Sequence, residues 1–164
     1  MNIDFIILAA GKGTRMGGDS PKVLASLAGK PMIQHLIDTV DSFPNSNTSI
    51  VVGYKSNEVE KDLVSQKKLS FVKQKNQLGT AHAVKQALPN IRKNSVAVIL
   101  YGDVPLVKKN TLNRLIKSAS TGKLSLLTFI KEDPTGYGRI IRGSKKSVQK
   151  ITEHKDASSV VKEI

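Results

Sequence analysis

IDFIILAAG, residues 3–11, gives the strongest indication of the fold class of this chain. Residues 3–10 are almost continuously apolar and lead into a glycine, which is the pattern of a strand buried on both faces of a sheet. The run is far too short to cross a bilayer, and no secretory signal precedes it. We therefore expect a central strand and no membrane partner. Because the chain has no cysteine, disulfides and thiolate metal sites are excluded, and we expect a cytoplasmic location.

Outward from this stretch, strand-like runs alternate with segments of helical period. Further strands are predicted at residues 49–54, 69–72, 96–101 and 124–130, and helices at residues 31–40, 57–66, 80–91 and 112–119. Such alternation predicts an α/β fold of Rossmann-like type, with a mostly parallel sheet and helices on both faces. Residues 138–142 and 147–152 predict an antiparallel hairpin appended to it. At 164 residues, we expect one domain, residues 1–164.

The composition indicates a globular protein with a strongly basic surface. Hydrophobic residues make up 39% of the chain, charged residues 24%, and the net charge is +13. Such a charge suits a polyanionic partner, which could be nucleic acid, an anionic membrane or a nucleotide. Lysines are spread along the whole chain, however, and the aromatic content of 4% leaves little for base stacking. We expect no nucleic-acid partner, although such a surface would still attract a triphosphate.

A glycine-rich loop follows the first strand, where parallel sheets bind their ligands. Its glycines let backbone N–H groups approach phosphate oxygens, while Arg15 offers a bidentate fork and Lys22 a point charge. The loop matches neither well-known phosphate fingerprint, because Gly17 is displaced for a dinucleotide-binding loop and the Gly-Lys-Ser/Thr ending of a Walker A loop is missing. It predicts a triphosphate site, with a solvated turn as the alternative.

A second loop, residues 74–83, leads into a predicted helix. Gly79 and Thr80 begin that helix, where free N–H groups can meet an anion or a carbonyl, although Thr80 could be a plain cap. Gln74 carries both a donor and an acceptor, as reading a pyrimidine edge requires. For His82, which lies within the helix among alanines, a packed imidazole is favoured over a catalyst.

A third loop, residues 101–105, places Asp103 at the tip of a buried strand. A carboxylate there requires a cation or several donors. Mg²⁺ is commonly held by one or two carboxylates together with substrate phosphates, and we favour that role for Asp103. The alternative is a cap for the next helix, which Pro105 makes less natural.

Together the motifs of this chain resemble those of the sugar-phosphate nucleotidyltransferases. The resemblance is strongest to the N-terminal domain of the bacterial bifunctional N-acetylglucosamine-1-phosphate uridylyltransferase/glucosamine-1-phosphate acetyltransferases. The motifs appear in family order and cover the chain almost end to end. LAAGKGTRM is moderately specific, whereas QLGTAHA, DPTGYGRI and EHKDA are highly specific in combination. The motifs are LAAGKGTRM (8–16), PKVL (21–24), LAGKPM (27–32), QLGTAHA (77–83), YGDVPL (101–106), DPTGYGRI (133–140) and EHKDA (153–157).

The resemblance implies roles for individual residues. Arg15 and Lys22 would be the catalytic cations on the phosphates, Gln74 would read uracil with Gly79 and Thr80, and Asp103 would hold Mg²⁺. Sugar contacts would come from the Gly138 backbone and Glu153. The nucleotide site it implies comprises Leu8, Ala9, Ala10, Gly11, Lys22, Gln74, Gly79, Thr80, Tyr101, Gly102 and Asp103.

The implied reaction transfers UMP from UTP to N-acetylglucosamine-1-phosphate, giving UDP-N-acetylglucosamine for peptidoglycan and lipopolysaccharide synthesis, and pyrophosphate. The alternatives are a related transferase for another nucleotide and sugar phosphate, or an inactive nucleotide-binding fragment.

The chain also departs from the family pattern. Ala25 replaces a common histidine, and Tyr54-Lys55 replaces a His-Gly pair. The family's Asn-Thr-Gly segment would begin about where Ile164 ends the chain, and the second metal-site asparagine and the β-helix acetyltransferase domain would follow. We therefore expect a C-terminally truncated nucleotidyltransferase domain that is a monomer.

Overall fold

The structure is a computed structural model that describes residues 1–11, 20–144 and 147–164. The chain divides into two compact units, Met1–Ser125 and Leu126–Ile164. The elements of the first unit are β1 (Asn2–Ala9), β2 (Ser26–Leu27), β3 (Lys30–Pro31), α1 (Met32–Asp41), β4 (Ser46–Val52), α2 (Ser56–Asp62), β5 (Leu69–Lys73), α3 (Thr80–Ala87), β6 (Ser95–Tyr101) and α4 (Lys109–Ala119). The second unit contains β7 (Arg139–Arg142), β8 (Val148–Thr152) and α5 (Ser159–Lys162).

The first unit is built on a parallel sheet with the strand order β5-β4-β1-β6. β1 lies inside the sheet, and Phe5, Ile6 and Ile7 have no exposed surface, which confirms the strand predicted from the apolar run. In the register of the sheet, Leu8 of β1 stands opposite Val51 of β4 and Tyr101 of β6. The carboxyl ends of β1 and β6 therefore lie side by side.

Helices cover both faces of this sheet, as predicted. Alternate residues of β1 point to opposite faces because side chains alternate along a strand. Phe5 and Ile7 pack with α1 and α4 in the larger apolar cluster, whereas Ile6 packs with Ala83 and Ala87 of α3 in the smaller one. β1 is therefore covered on both faces, which explains why it shows no polar alternation.

Two helices end earlier than predicted. α2 stops at Asp62, because the carboxamide of Gln34 takes both backbone groups of Val64: it accepts from the N–H at 3.0 Å and donates to the C=O at 2.6 Å. α3 stops at Ala87 and continues as one turn of 3₁₀-helix, because Pro89 has no N–H to extend it. The end of α2 depends on a contact between residues far apart in sequence, Gln34 and Val64. The end of α3 could be predicted from Pro89 alone.

The prediction of a strand at residues 124–130 is wrong. A strand forms where a neighbour takes its backbone hydrogen bonds, and no strand that the structure describes pairs with this segment. Leu124 and Ile130 are exposed rather than packed. The apolar pattern indicated β structure correctly only where a partner strand was available, as for β4. This strand begins at Ser46, three residues before the predicted start.

The second unit contains the predicted antiparallel hairpin, β7 and β8. Arg139, which is buried at the start of β7, holds the surrounding backbone together. Its guanidinium donates to the carbonyls of Pro134 at 2.8 Å, Tyr137 at 2.5 Å and Lys162 at 3.0 Å. The unit is thus organised around one buried cation whose donors are satisfied by carbonyl oxygens.

Across the three described stretches of the chain, none of the helices has the length and apolar character needed to cross a membrane.

Candidate nucleotide-binding site

A cleft of about 360 Å³ opens beyond the carboxyl ends of β1 and β6. The chain leaves β1 toward β4 and β5 and later returns to β6 on the other side, so the strand order reverses between β1 and β6. Open parallel sheets bind ligands at such a reversal. The cleft is lined by Leu8, Ala9, Ala10, Gly11, Lys22, Val23, Gln74, Gln77, Gly79, Thr80, Ala83, Tyr101 and Asp103. Nearly all the residues proposed from sequence for the nucleotide are thus brought together.

Gly102 is the exception, because it lies behind the cleft and does not line it. Its N–H donates to the carbonyl of Leu8 at 2.9 Å, which joins the ends of β6 and β1. A Cβ at this position would lie 2.9 Å from Val23 Cγ1 and 3.0 Å from the Leu8 carbonyl oxygen. A side chain at position 102 would collide with Val23 and the Leu8 backbone. Glycine therefore allows β6 to end close to β1, which positions Tyr101 and Asp103 at the cleft.

Lys22 and Asp103 form an ion pair at the cleft. The Nζ of Lys22 lies 2.7 Å from Oδ2 of Asp103, and about a third or more of each side chain is exposed, 39% and 36%. α4 begins at Lys109, well past Asp103, so the aspartate is not the cap of that helix. Arg15, the other cation expected on the phosphates, lies outside the described residues.

The surroundings of Asp103 are compatible with a divalent cation that is also held by oxygens of a bound ligand. Its carboxylate already has a cation at hydrogen-bonding distance, so this position favours positive charge. Within residues 1–11, 20–144 and 147–164, no three His, Cys, Asp or Glu side chains are grouped as a metal site. A cation here would therefore depend on ligand oxygens in addition to Asp103, which is the usual way in which Mg²⁺ is held beside phosphates.

Gln74 also lines the cleft and is buried, with 4% of its surface exposed. Its backbone N–H extends the ladder of β5 by donating to the carbonyl of Val52 at 2.8 Å. Its side-chain Nε2 lies 3.2 Å from the carbonyl oxygen of Gly79 and 2.9 Å from Nδ1 of His82. The carboxamide is therefore held by the turn that leads into α3.

Gly79 makes that turn possible. It lies immediately before α3 with φ of 96°, which L side chains rarely adopt, and no side chain caps the helix. Thr80 is the first residue of α3, so the plain-cap alternative for Thr80 is wrong. The first turn of α3 instead presents its uncapped end to the cleft.

Three cleft residues were not assigned a role from sequence: Val23, Gln77 and Ala83. Gln77 Nε2 donates to the carbonyl of Ala10 at 2.7 Å and so ties the second loop to the first. Val23 and Ala83 are buried and supply the apolar part of the wall. All three lie inside the motifs PKVL and QLGTAHA. Their place in the cleft became clear only from the structure, through the contact of Gln77 with Ala10 and the burial of Val23 and Ala83.

The second unit places the two residues proposed for the sugar close to each other. An ideal Cβ on Gly138 would lie 3.8 Å from Oε2 of Glu153 and 3.4 Å from Ile151 Cγ2. The hairpin produces this proximity, because Gly138 precedes β7 and Glu153 follows β8. Nearby, hydrogen bonds from Thr135 hold the pKa of the Asp133 carboxyl below its usual value.

Comparison with characterised proteins gives consistent matches. The chain is 46% identical to the bifunctional protein GlmU of Cellvibrio japonicus over 156 residues, covering 95% of the chain and 34% of the relative. The chain thus spans about a third of the length of the curated relatives it matches. Its fold is similar to UDP-glucose pyrophosphorylase solved with UDP-glucose, with a TM-score of 0.73 and 18% identity over 94% of the chain and 69% of the relative.

A second solved structure, HddC from Yersinia pseudotuberculosis in complex with GMP-PN, matches with a TM-score of 0.68 and 25% identity, covering 92% of the chain and 68% of HddC. The model of the MobA-like NTP transferase domain matches residues 5–162, which is nearly the whole chain. Together with the four-stranded parallel sheet and the cleft at its strand reversal, this match shows that the chain belongs to the family of MobA-like NTP transferase domains.

Proposed function

We propose that this chain is the nucleotidyltransferase part of an enzyme that transfers UMP from UTP to N-acetylglucosamine-1-phosphate. One observation carries the proposal: the cleft collects the end of β1, a lysine, an aspartate and a buried glutamine within one volume. The similarity to GlmU over 95% of the chain supports the choice of UTP and of this sugar phosphate. The products would be UDP-N-acetylglucosamine, a precursor of the cell envelope, and pyrophosphate.

The reaction requires no covalent intermediate on the protein. A phosphate oxygen of the sugar phosphate forms a bond to the α-phosphorus of UTP in line, the bond to the bridging oxygen breaks, and pyrophosphate leaves with its electron pair. The second ionisation of a phosphate monoester has a pKa near 6. The nucleophile is therefore already charged at neutral pH, and no general base is needed.

The task of the protein is to bring two anions together and to offset charge on the reacting phosphate. Lys22 lines the cleft beside Asp103, as does the end of β1, over which we propose that the phosphates bind. We assign Lys22 and Arg15 to the triphosphate and the backbone of residues 8–11 to the same ligand. Asp103 would hold Mg²⁺, which would supply further positive charge to the triphosphate oxygens.

For the sugar, we assign the Gly138 backbone and the Glu153 carboxylate. A carboxylate accepts hydrogen bonds from two neighbouring hydroxyls, and Glu153 lies beside Gly138 in the hairpin unit. We further propose that residues 1–164 form one catalytic domain, that the chain is a cytoplasmic monomer, and that it has no nucleic-acid or membrane partner.

A second candidate is transfer of another nucleotide. HddC, solved with GMP-PN, and 4-diphosphocytidyl-2C-methyl-D-erythritol synthase from Anaerococcus prevotii, with a TM-score of 0.58, share the fold. The fold therefore does not select the base, and a direct comparison of nucleotides is needed.

Thermal unfolding with Mg²⁺ and UTP, CTP or GTP in separate samples provides that comparison. A ligand present at 100 times its Kd adds about 2.7 kcal/mol to the free energy of unfolding. We expect the largest rise in Tm with UTP, and a smaller rise when Mg²⁺ is removed. A larger shift with CTP or GTP would favour the second candidate, and no shift with any nucleotide would contradict nucleotide binding by this chain.

A further inference from the structure

The carboxamide of Gln74 is held in one orientation by two acceptors. An amide can be turned by half a rotation, which exchanges its oxygen and its NH₂ group. Here the carbonyl oxygen of Gly79, 3.2 Å from Nε2, requires the nitrogen at that position, because two facing carbonyl oxygens repel each other. The second hydrogen of the same Nε2 points to Nδ1 of His82, 2.9 Å away. Both hydrogens of the Gln74 amide are therefore donated to protein atoms.

This arrangement determines the tautomer of His82. A neutral imidazole has one donor nitrogen and one acceptor nitrogen. Because Nδ1 accepts from Gln74, the hydrogen lies on Nε2, whose neighbour at 3.1 Å is the amide nitrogen Nε2 of Gln86. Two N–H groups cannot bond to each other, so half a rotation of the Gln86 amide brings its oxygen to the position that accepts from Nε2–H of His82. The half-buried side chains of His82 and Gln86, one turn apart on α3, therefore extend the chain of hydrogen bonds outward from Gln74.

The consequence for the cleft is that Gln74 can offer a ligand only its oxygen. No described residue donates a hydrogen bond to Oε1 of Gln74, and the residue lines the cleft. An acceptor suits the N3–H of uracil, whereas the N3 of cytosine is itself an acceptor and would face a repelling lone pair. If the amide turned, it would present NH₂, and this preference would reverse.

We infer that His82 is a positioning residue for base selection: by accepting from Gln74, it keeps the Gln74 oxygen toward the cleft and so favours UTP over CTP. The inference rests on the proposed function, in which Gln74 reads the base. His82 touches neither the nucleotide nor the reacting phosphates in this account. Its effect appears in the choice of nucleotide and leaves the position of the triphosphate unchanged.

The test compares the dissociation constants of UTP and CTP, with Mg²⁺, for the wild-type chain and three variants. His82→Phe keeps a ring of similar size but has no acceptor. His82→Asn places a side-chain oxygen where Nδ1 stands and restores the acceptor. Gln74→Leu removes the reading group itself. Thermal unfolding without nucleotide shows whether each variant is folded, and His82→Leu serves as a second apolar variant should the phenylalanine not fit.

We expect the preference for UTP over CTP to fall about tenfold or more in His82→Phe, which corresponds to about 1.4 kcal/mol, and to be largely kept in His82→Asn. Loss in His82→Phe with recovery in His82→Asn separates positioning from packing, because packing alone would not be restored by the smaller amide.

An unchanged preference in His82→Phe, or an equal loss in His82→Phe and His82→Asn, would overturn the inference. If Gln74→Leu loses the preference while His82→Phe keeps it, only the role of His82 fails. If Gln74→Leu keeps the preference, or if the wild-type chain binds neither nucleotide, the assignment of base reading in the proposed function fails as well.

Discussion

Asp103 carries a cation at hydrogen-bonding distance, the ammonium group of Lys22. Both side chains are more than a third exposed, and ion pairs of this kind contribute little to stability, about 0–1 kcal/mol. Their placement at the strand reversal is therefore better explained by ligand binding than by folding. Arriving phosphates and a divalent cation would offer Lys22 and Asp103 new partners in place of each other.

Replacing Asp103 tests whether this aspartate binds the metal that the reaction would use. In the full-length protein, we expect Asp103→Ala or Asp103→Asn to lower turnover by about a hundredfold or more, because the variants would no longer hold the Mg²⁺ whose positive charge would offset the developing phosphate anion. Pyrophosphate release from UTP and N-acetylglucosamine-1-phosphate measures this. Asp62→Asn, an exposed site at the end of α2, is the matched control. Near-normal turnover of the Asp103 variants at saturating Mg²⁺ would reject the role of Asp103.

At the scale of elements, an arginine clamp holds the amino end of the sheet opposite the cleft. Asp4 of β1 is buried, and Arg92 reaches it with its backbone N–H at 2.9 Å and with Nε at 2.8 Å. The guanidinium also donates to the carbonyls of Ile3 and Asn45. The loop before β6 is thereby fixed to β1, which positions the two strands whose other ends form the cleft.

Arg92→Ala is expected to lower the free energy of unfolding by about 3 kcal/mol, because a buried carboxylate then keeps only its backbone donor. Urea unfolding measures the change. Arg114→Ala, on the exposed face of α4, is the control and should alter stability by less than about 0.5 kcal/mol. Equal effects of the two substitutions would show that the clamp is not important for stability.

Asp38 on α1 makes one contribution to stability depend on pH. Burial raises the pKa of its carboxyl, but hydrogen bonds from Lys30 and Gln34, together with the charge of Lys30, outweigh it and hold the pKa below the ordinary value of 3.8. A lowered pKa in the folded state means that the contribution is fully present above about pH 4 and is lost as the pH falls through the folded value.

We therefore expect Asp38→Asn to reduce stability near neutral pH, and the difference in the free energy of unfolding between wild type and variant to narrow as the pH falls below about 4. Urea unfolding across this range measures it. A gap that stays constant with pH, or one that widens toward acid, would contradict the assignment.

At the scale of the whole molecule, the parts that were predictable are those whose signals are local. β1 was readable because burial on both faces removes polar alternation, and the early end of α3 was readable from Pro89. The end of α2 depends on Gln34, thirty residues from Val64, so no local pattern contained it. Residues 124–130 have a strand-like composition, but pairing depends on a neighbour that composition does not reveal.

At the candidate site too, features with local sequence signals were predictable and contacts between distant residues were not. Motif resemblance located the loops that meet at the cleft, and the lining residues Gln74, Gly79 and Asp103 were among those predicted. Contacts between loops were not predictable, namely Gln77 with Ala10, and His82 with Gln74. His82 was expected to be a packed imidazole, and its hydrogen bonds to two glutamines became visible only when α3 was placed beside β5.

A crystal structure of the chain with UTP and Mn²⁺ would show whether the triphosphate and a divalent cation bind at the end of β1 beside Asp103, because Mn²⁺ binds carboxylate and phosphate oxygens as Mg²⁺ does and gives an anomalous signal. We predict the metal peak on the carboxylate of Asp103, the triphosphate over the end of β1, and Lys22 turned from Asp103 to a phosphate oxygen. A triphosphate bound elsewhere, with Lys22 still paired to Asp103, would contradict the account.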